Sequence, residues 1–147
     1  MMHEILFKAK RLDNREWIEG YYYSYETLEC FEEGDKYHYI LKPGFADWSM
    51  PRPAKFYEID PSTLCQFTGL TDKNGNKIWE NDIVDVSDCW WNTASPAGYD
   101  SPIVLVEWVE FYSGFYPFAK YDCDCGVFYD ANNTKVIGNK FDNPELL

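Results

Sequence analysis

Apolar and polar residues alternate with a period of two, interrupted by short apolar runs, through nearly the whole chain. No window of eleven or more residues sustains the 3.6-residue period of an amphipathic helix. The pattern predicts strands at Ile5–Lys10, Trp17–Tyr23, Tyr37–Leu41, Lys55–Ile59, Leu64–Thr68, Lys77–Trp79, Ile83–Val86, Ile103–Phe111, Val127–Tyr129 and Thr134–Gly138. Ile103–Phe111 is the strongest: its Ile-Val-Leu-Val start is apolar on both faces, which suits a central strand, while Glu107 and Glu110 mark where solvent returns. Helical expectations are slight. Ser24–Glu33 carries Leu28 and Phe31 at i, i+3, and the chain closes on Asn143 as a cap, Pro144 at a first helical position and Glu145 near the positive helix end. Lys42-Pro-Gly44, Ser49–Pro53 and Ser95–Gly98 read as loops. Leu70–Ile78 reads as a hairpin through Lys73-Asn-Gly75, with Asn74 and Gly75 both expected at positive φ. The fold class is therefore mostly β, all-β or β-dominated α+β, with short helices only.

Composition adds size and charge. The chain's 147 residues suit a single domain, 1–147, and 46% apolar with 26% charged residues excludes a disordered or fibrous chain. Six Trp, 12 Tyr and 10 Phe predict a core rich in rings. Thirteen Lys and Arg against 25 Asp and Glu leave a net charge of −12, which argues against duplex nucleic acid as a partner. The charge is unevenly spread. Lys8, Lys10, Arg11 and Arg15 open the chain, whereas Glu16–Asp35 and Ile78–Ala119 each hold seven acids and no Lys or Arg. Such segments ordinarily form a solvated surface, and the rival reading is a docking face for a basic partner.

Chemistry-bearing motifs are sparse. No run approaches the ~18 apolar residues of a membrane span, and the opening Met-Met-His-Glu lacks the regions of a signal peptide, so a cytoplasmic location away from membranes is expected. Five scattered cysteines (Cys30, Cys65, Cys89, Cys123, Cys125) fit reduced thiols. The one close pair, Cys123-Asp-Cys125, has only His3, His38 and isolated cysteines to complete a zinc site. Asp72-Lys-Asn-Gly-Asn76 begins like a calcium loop but has Lys77 and Ile83 where glycine and a bidentate Glu belong. Neither metal nor cofactor is expected. Glu80 and Asp82, two apart on a strand, could form an acidic enzyme site, the alternative reading, though an Asp there ordinarily holds turn amides. Binding has better candidates. Adjacent rings on a strand point to opposite faces, so one of Trp90 and Trp91 is expected outside the core. With Asp88, Tyr99 and Asp100 it forms an acidic, aromatic candidate binding surface.

The stretch Asp60–Val84, with Gln66-Phe-Thr-Gly-Leu70, Asp72-Lys-Asn-Gly75 and Ile78-Trp-Glu-Asn-Asp-Ile-Val84, resembles the signature of the YopX family of phage and prophage proteins. Arg15-Glu-Trp-Ile-Glu-Gly-Tyr21 and Val136–Leu147 are similar to that family's N-terminal strand and C-terminal ending, so the resemblance spans essentially the whole chain. Two positions depart from it: Cys65 and Asn81 stand where the family commonly has glycine, and Asn81 suggests a retained left-handed backbone. The resemblance implies a phage or prophage origin and a β-rich fold, and brings no activity with it. Together with the Asp-Ile-Val strand start, it leads us to expect a small SH3-like barrel in the C-terminal half, extended by the N-terminal strands. The expected function is an accessory protein acting by protein binding, with a partner of basic character or a second copy in a homo-oligomer.

Overall fold

Strands dominate, as the period-two pattern predicts, and among the described residues no helical segment exceeds a three-residue 3₁₀ turn. The computed structural model describes residues 4–27, 34–46, 51–89, 102–118 and 129–147. The chain divides into two compact units, Met1–Gln66 and Phe67–Leu147.

The first unit contains β1 (Phe7–Lys10), β2 (Trp17–Glu26), β3 (Lys36–Lys42), β4 (Phe45–Ala46), β5 (Pro51–Arg52) and β6 (Lys55–Glu58), and ends within β7 (Cys65–Thr71). Its antiparallel sheet runs β6, β3, β2, β1, with Cys65 and Gln66 pairing against Lys8 and Phe7; β4 and β5 form a separate short ladder. Alternation along β2 sends Ile18, Gly20 and Tyr22 to the inner face. Ala9, Ile18, Ile40 and Ile59 form the buried cluster there, with Phe7, Tyr22, Tyr57 and Leu64 packed against it. Gly20 is required by the closeness of β3, since a Cβ would meet the Leu41 carbonyl oxygen and stand 2.9 Å from Ile40 Cγ2.

The short helix expected at Ser24–Glu33 does not begin. Ser24, Tyr25 and Glu26 instead extend β2, paired with His38, Tyr37 and Lys36, because the alternating tyrosines gain cross-strand ring partners that a single helical turn could not supply. The remainder of that expectation, Leu28–Glu33, lies outside the described residues.

The second unit contains the rest of β7, then β8 (Lys77–Trp79), β9 (Asp82–Asp85), β10 (Ile103–Leu105), β11 (Glu107–Val109), β12 (Gly114–Tyr116) and β13 (Lys135–Asn139). Its ladders are β7–β8, β10–β9–β13 and β11–β12; among the described residues they are separate and do not close an SH3-like barrel. Ile78, Val84, Val86, Cys89, Val106 and Ala131 form its buried cluster. The expected single strand Ile103–Phe111 is broken at the fully buried Val106. There the amide donates to the Asp82 carbonyl (2.8 Å) and the carbonyl accepts from the Asn81 amide (2.7 Å). It is β9, with Asp82, Ile83 and Val84 all buried, that occupies the centre of the sheet, and β10 is an edge. An apolar run specifies burial on two faces but not partners on two edges.

Smaller differences have local causes. Gly75 has φ +80°, but Asn74 is not at positive φ, because the Asp72 carboxylate already holds the turn through the amides of Asn74 and Asn76. The C-terminal helix is a single 3₁₀ turn, Pro144–Leu146, and Asn143 does not cap it: its side-chain oxygen accepts from the Asn139 amide at 3.3 Å. Tyr129 is outside any strand, and the rest of the expected strand Val127–Tyr129 lies outside the described residues.

Candidate functional site

The outward face of β2, β3 and β6 carries rings where an ordinary sheet carries polar residues. Cross-strand pairing puts Tyr23 opposite Tyr39, Tyr25 opposite Tyr37, and Leu41 between Tyr21 and Phe56. Phe56 is 57% exposed, Tyr23 50%, Tyr21 48% and Tyr25 42%. Tyr23, Tyr25, Tyr37, Tyr39 and Phe56 are linked ring to ring. Tyr25 stacks on Tyr37 (5.3 Å between centroids) and on Tyr39 (5.9 Å), and Phe56 meets Tyr23 at 6.2 Å and Tyr39 at 6.3 Å. The Tyr39 hydroxyl, hydrogen-bonded to Tyr25, desolvated and near Glu58, is pushed up to about 12, so this phenol stays neutral across the physiological range.

At the β6 margin, a cavity of about 340 Å3 is lined by Arg11, Leu12, Asp13, Phe56, Tyr57 and Glu58. The Arg11 guanidinium lies 4.5 Å from the Tyr57 ring centroid and pairs with Asp13, whose carboxyl is held below its ordinary value chiefly by that hydrogen bond. Among the described residues no cation pairs with the Glu58 carboxylate. Lys8 and Lys10 lie over Trp17 at the other margin, 4.9 and 5.4 Å from its ring.

These rings were visible in the sequence as Tyr21, Tyr23, Tyr25, Tyr37 and Tyr39, but their abundance there pointed to a core rich in rings. Among the described residues the centres of the buried clusters are aliphatic, with Phe7, Tyr22, Tyr57, Phe115, Phe118 and Tyr129 packed against them and Phe67 and Trp79 buried, while these tyrosines face solvent. Alternating tyrosines opposite glycine and isoleucine were the available signal, because each buried hydroxyl would have needed a partner.

Of the residues proposed from sequence for the binding surface, Asp88 is exposed in the 3₁₀ turn Ser87–Cys89 and forms an ion pair with Lys73 at 2.8 Å. Trp90, Trp91, Tyr99 and Asp100 lie outside the described residues, as does the Cys123/Cys125 pair. Asp82 is buried, with Oδ2 accepting from the Trp79 amide at 2.8 Å, the turn-holding role that competes with catalysis at Glu80 and Asp82.

The conspicuous motif residues prove to be makers of the fold. The buried Asp72 carboxylate accepts from the amides of Asn74 and Asn76 (2.9 Å each), from the Asn76 side chain (3.3 Å), and from the Val136 amide of β13 (3.0 Å). Burial pushes its carboxyl up, but these donors together outweigh burial and hold it below the ordinary value. Asn81 adopts φ 67°, its carbonyl accepting from the Lys140 amide. The Thr68 hydroxyl donates to the Ile78 carbonyl at 2.7 Å. In the first unit, Asp60 caps Pro61–Thr63 through the Ser62 amide and pairs with Arg15. All of these groups hold backbone.

The class so defined is an antiparallel β protein of two units whose motif residues build turns and whose first unit presents rings to solvent. The chain belongs to the YopX family, whose description is YopX protein and which matches residues 6–147. A solved structure similar to this chain is the crystal structure of protein EF1440 from Enterococcus faecalis. It is 21% identical, covers 99% of this chain and 99% of that chain, and has a TM-score of 0.47. No curated protein matches. Among the described residues no helix is long and apolar enough to cross a membrane.

Proposed function

We propose that this YopX protein is a cytoplasmic phage- or prophage-type accessory protein, a single family domain spanning both units, that works by binding another protein through an acidic, aromatic surface. The observation that carries the reading is the exposed ring ladder of Tyr21, Tyr23, Tyr25 and Phe56. Burying rings of this kind on a partner returns far more free energy than leaving them in water, and Tyr is among the residues that dominate interface energetics. Asp88 with Trp90, Trp91, Tyr99 and Asp100 is proposed as a second part of that surface. Affinity capture from the bacterial host, comparing the wild type with Tyr23→Ser/Phe56→Ser and with Trp90→Ala and Trp91→Ala, tests both parts. A partner retained by the wild type and lost by a variant of unchanged melting temperature supports the corresponding part. Identical capture by all variants refutes the reading.

A further inference from the structure

We propose, resting on that reading, that the ring face receives a cationic, extended segment of the partner, with one Arg or Lys head entering the cavity beside Phe56 and Glu58. Three observations converge on this occupant.

The first is geometric. Tyr21, Tyr23 and Tyr25 repeat every second residue along β2, a spacing of about 6.8 Å, which is also the repeat of alternate side chains in an extended peptide. Side chains of such a segment fall in step with the rings, whereas a polyproline helix, repeating about every 9 Å, does not.

The second is charge. Within the cavity Arg11 pairs with Asp13, and among the described residues no cation pairs with Glu58, so its carboxylate supplies a negative charge in the lining. A guanidinium or ammonium gains both from the Glu58 carboxylate and from the faces of the rings. A phosphate backbone would be repelled by the Glu58 carboxylate, and Lys8 and Lys10 lie over Trp17 at the far margin.

The third is area. With about half of each ring open, the four rings offer roughly 400 Å2, against about 800 Å2 per partner in a standard stable interface. That is too little to hold a second copy of the chain by itself and enough for a short segment.

The probe is a labelled eleven-residue peptide of alternating Arg and Thr, read by fluorescence anisotropy against the full chain. A Glu/Thr peptide of the same length and a thymidine oligonucleotide serve as competitors. The Arg peptide is expected to bind, and to bind more weakly as salt rises. Its affinity should fall about three- to fivefold in Glu58→Gln and about tenfold or more in Phe56→Ser. Circular dichroism confirms folding, which exposed positions leave intact. Absence of binding, equal binding of the Glu peptide, preference for the oligonucleotide, or affinity unchanged in both variants overturns the proposal. Capture of a host protein that Phe56→Ser abolishes, beside an Arg peptide that does not bind, removes the cationic segment while leaving protein binding in place. Unchanged capture by the ring variant removes the latter for this face.

Discussion

Replacing Asp72 by Ala removes the acceptor on which the β7–β8 turn and the start of β13 both depend. In the native protein the carboxylate is 3% exposed and collects three backbone amides and one side-chain amide. The amides of Asn74 and Asn76 belong to exposed residues and regain water when the carboxylate is lost, so each costs little. The Val136 amide is only partly exposed and loses a charge-assisted bond, a loss of about 1.5–3 kcal/mol. Adding the weakened turn gives a total of about 3 kcal/mol, and with a urea slope of about 2 kcal/mol/M the unfolding midpoint should fall by about 1.5 M. Asp72→Asn keeps one acceptor but turns an amide NH2 toward a donor, so about 2 kcal/mol is expected to be lost. The pH dependence supplies a second reading. Because the folded Asp72 carboxyl is held below its ordinary value, the unfolded chain takes up the proton first as pH falls. The carboxylate's contribution is therefore complete above about pH 4 and drains away as pH drops below that toward the folded value. Tryptophan fluorescence across urea titrations at pH 7 and at pH 3–4 measures both effects, and the difference between wild type and Asp72→Asn cancels the other depressed carboxyls, Asp13, Asp60 and Asp85. A midpoint unchanged in Asp72→Ala at pH 7, or the same acid loss in wild type and Asp72→Asn, would refute this account.

Three further outcomes are expected. Gly20→Ala forces a Cβ into the Leu41 carbonyl and should cost about 2 kcal/mol, lowering the melting temperature by about 4–8 °C; an unchanged melt would show that β2 and β3 can move apart freely. Gly75→Val meets no atom within 4 Å, so backbone strain at φ +80° alone should remove about 1–2 kcal/mol, while Gly75→Asn should be nearly neutral by urea titration. Cys65 and Cys89 are buried free thiols, the latter pushed up by burial, so mass spectrometry after brief alkylation of the native protein should find both unmodified, and alkylation in urea should label them.

Local pattern carried much of the strand assignment, and its failures share a cause. Lys77–Trp79 was legible in full because an Asn-Gly turn precedes it and Asn81 at positive φ ends it. Asp82 was left out of its strand because a charged residue looks like a boundary, yet its side chain folds back on the Trp79 amide and its backbone remains in β9. Alternation in β2 defined two faces without saying which one is inside. The small residues decide that question: Ala9 and Gly20 accept a close neighbour, and the tyrosines are left outside. The break at Val106 and the central place of β9 depend on hydrogen bonds between distant segments, which no single run encodes. The exposed rings of β2, β3 and β6 went unread as a surface because alternation does not say which face is inside, and the sequence reading turned instead to Trp90 and its neighbours, which lie outside the described residues.

β2 is in effect two interleaved texts. Its even-numbered residues, Ile18, Gly20 and Tyr22, answer to the packing of the first unit, and its odd-numbered ones, Tyr21, Tyr23 and Tyr25, answer to solvent. Where an outward residue does not hold its neighbours, as Tyr25 does by stacking on Tyr37 and Tyr39, a substitution on that track changes the surface without disturbing the packed one. A library randomised at Tyr21 and Tyr23 alone should therefore yield folded proteins of altered surface chemistry, which makes this strand a scaffold for engineered binding.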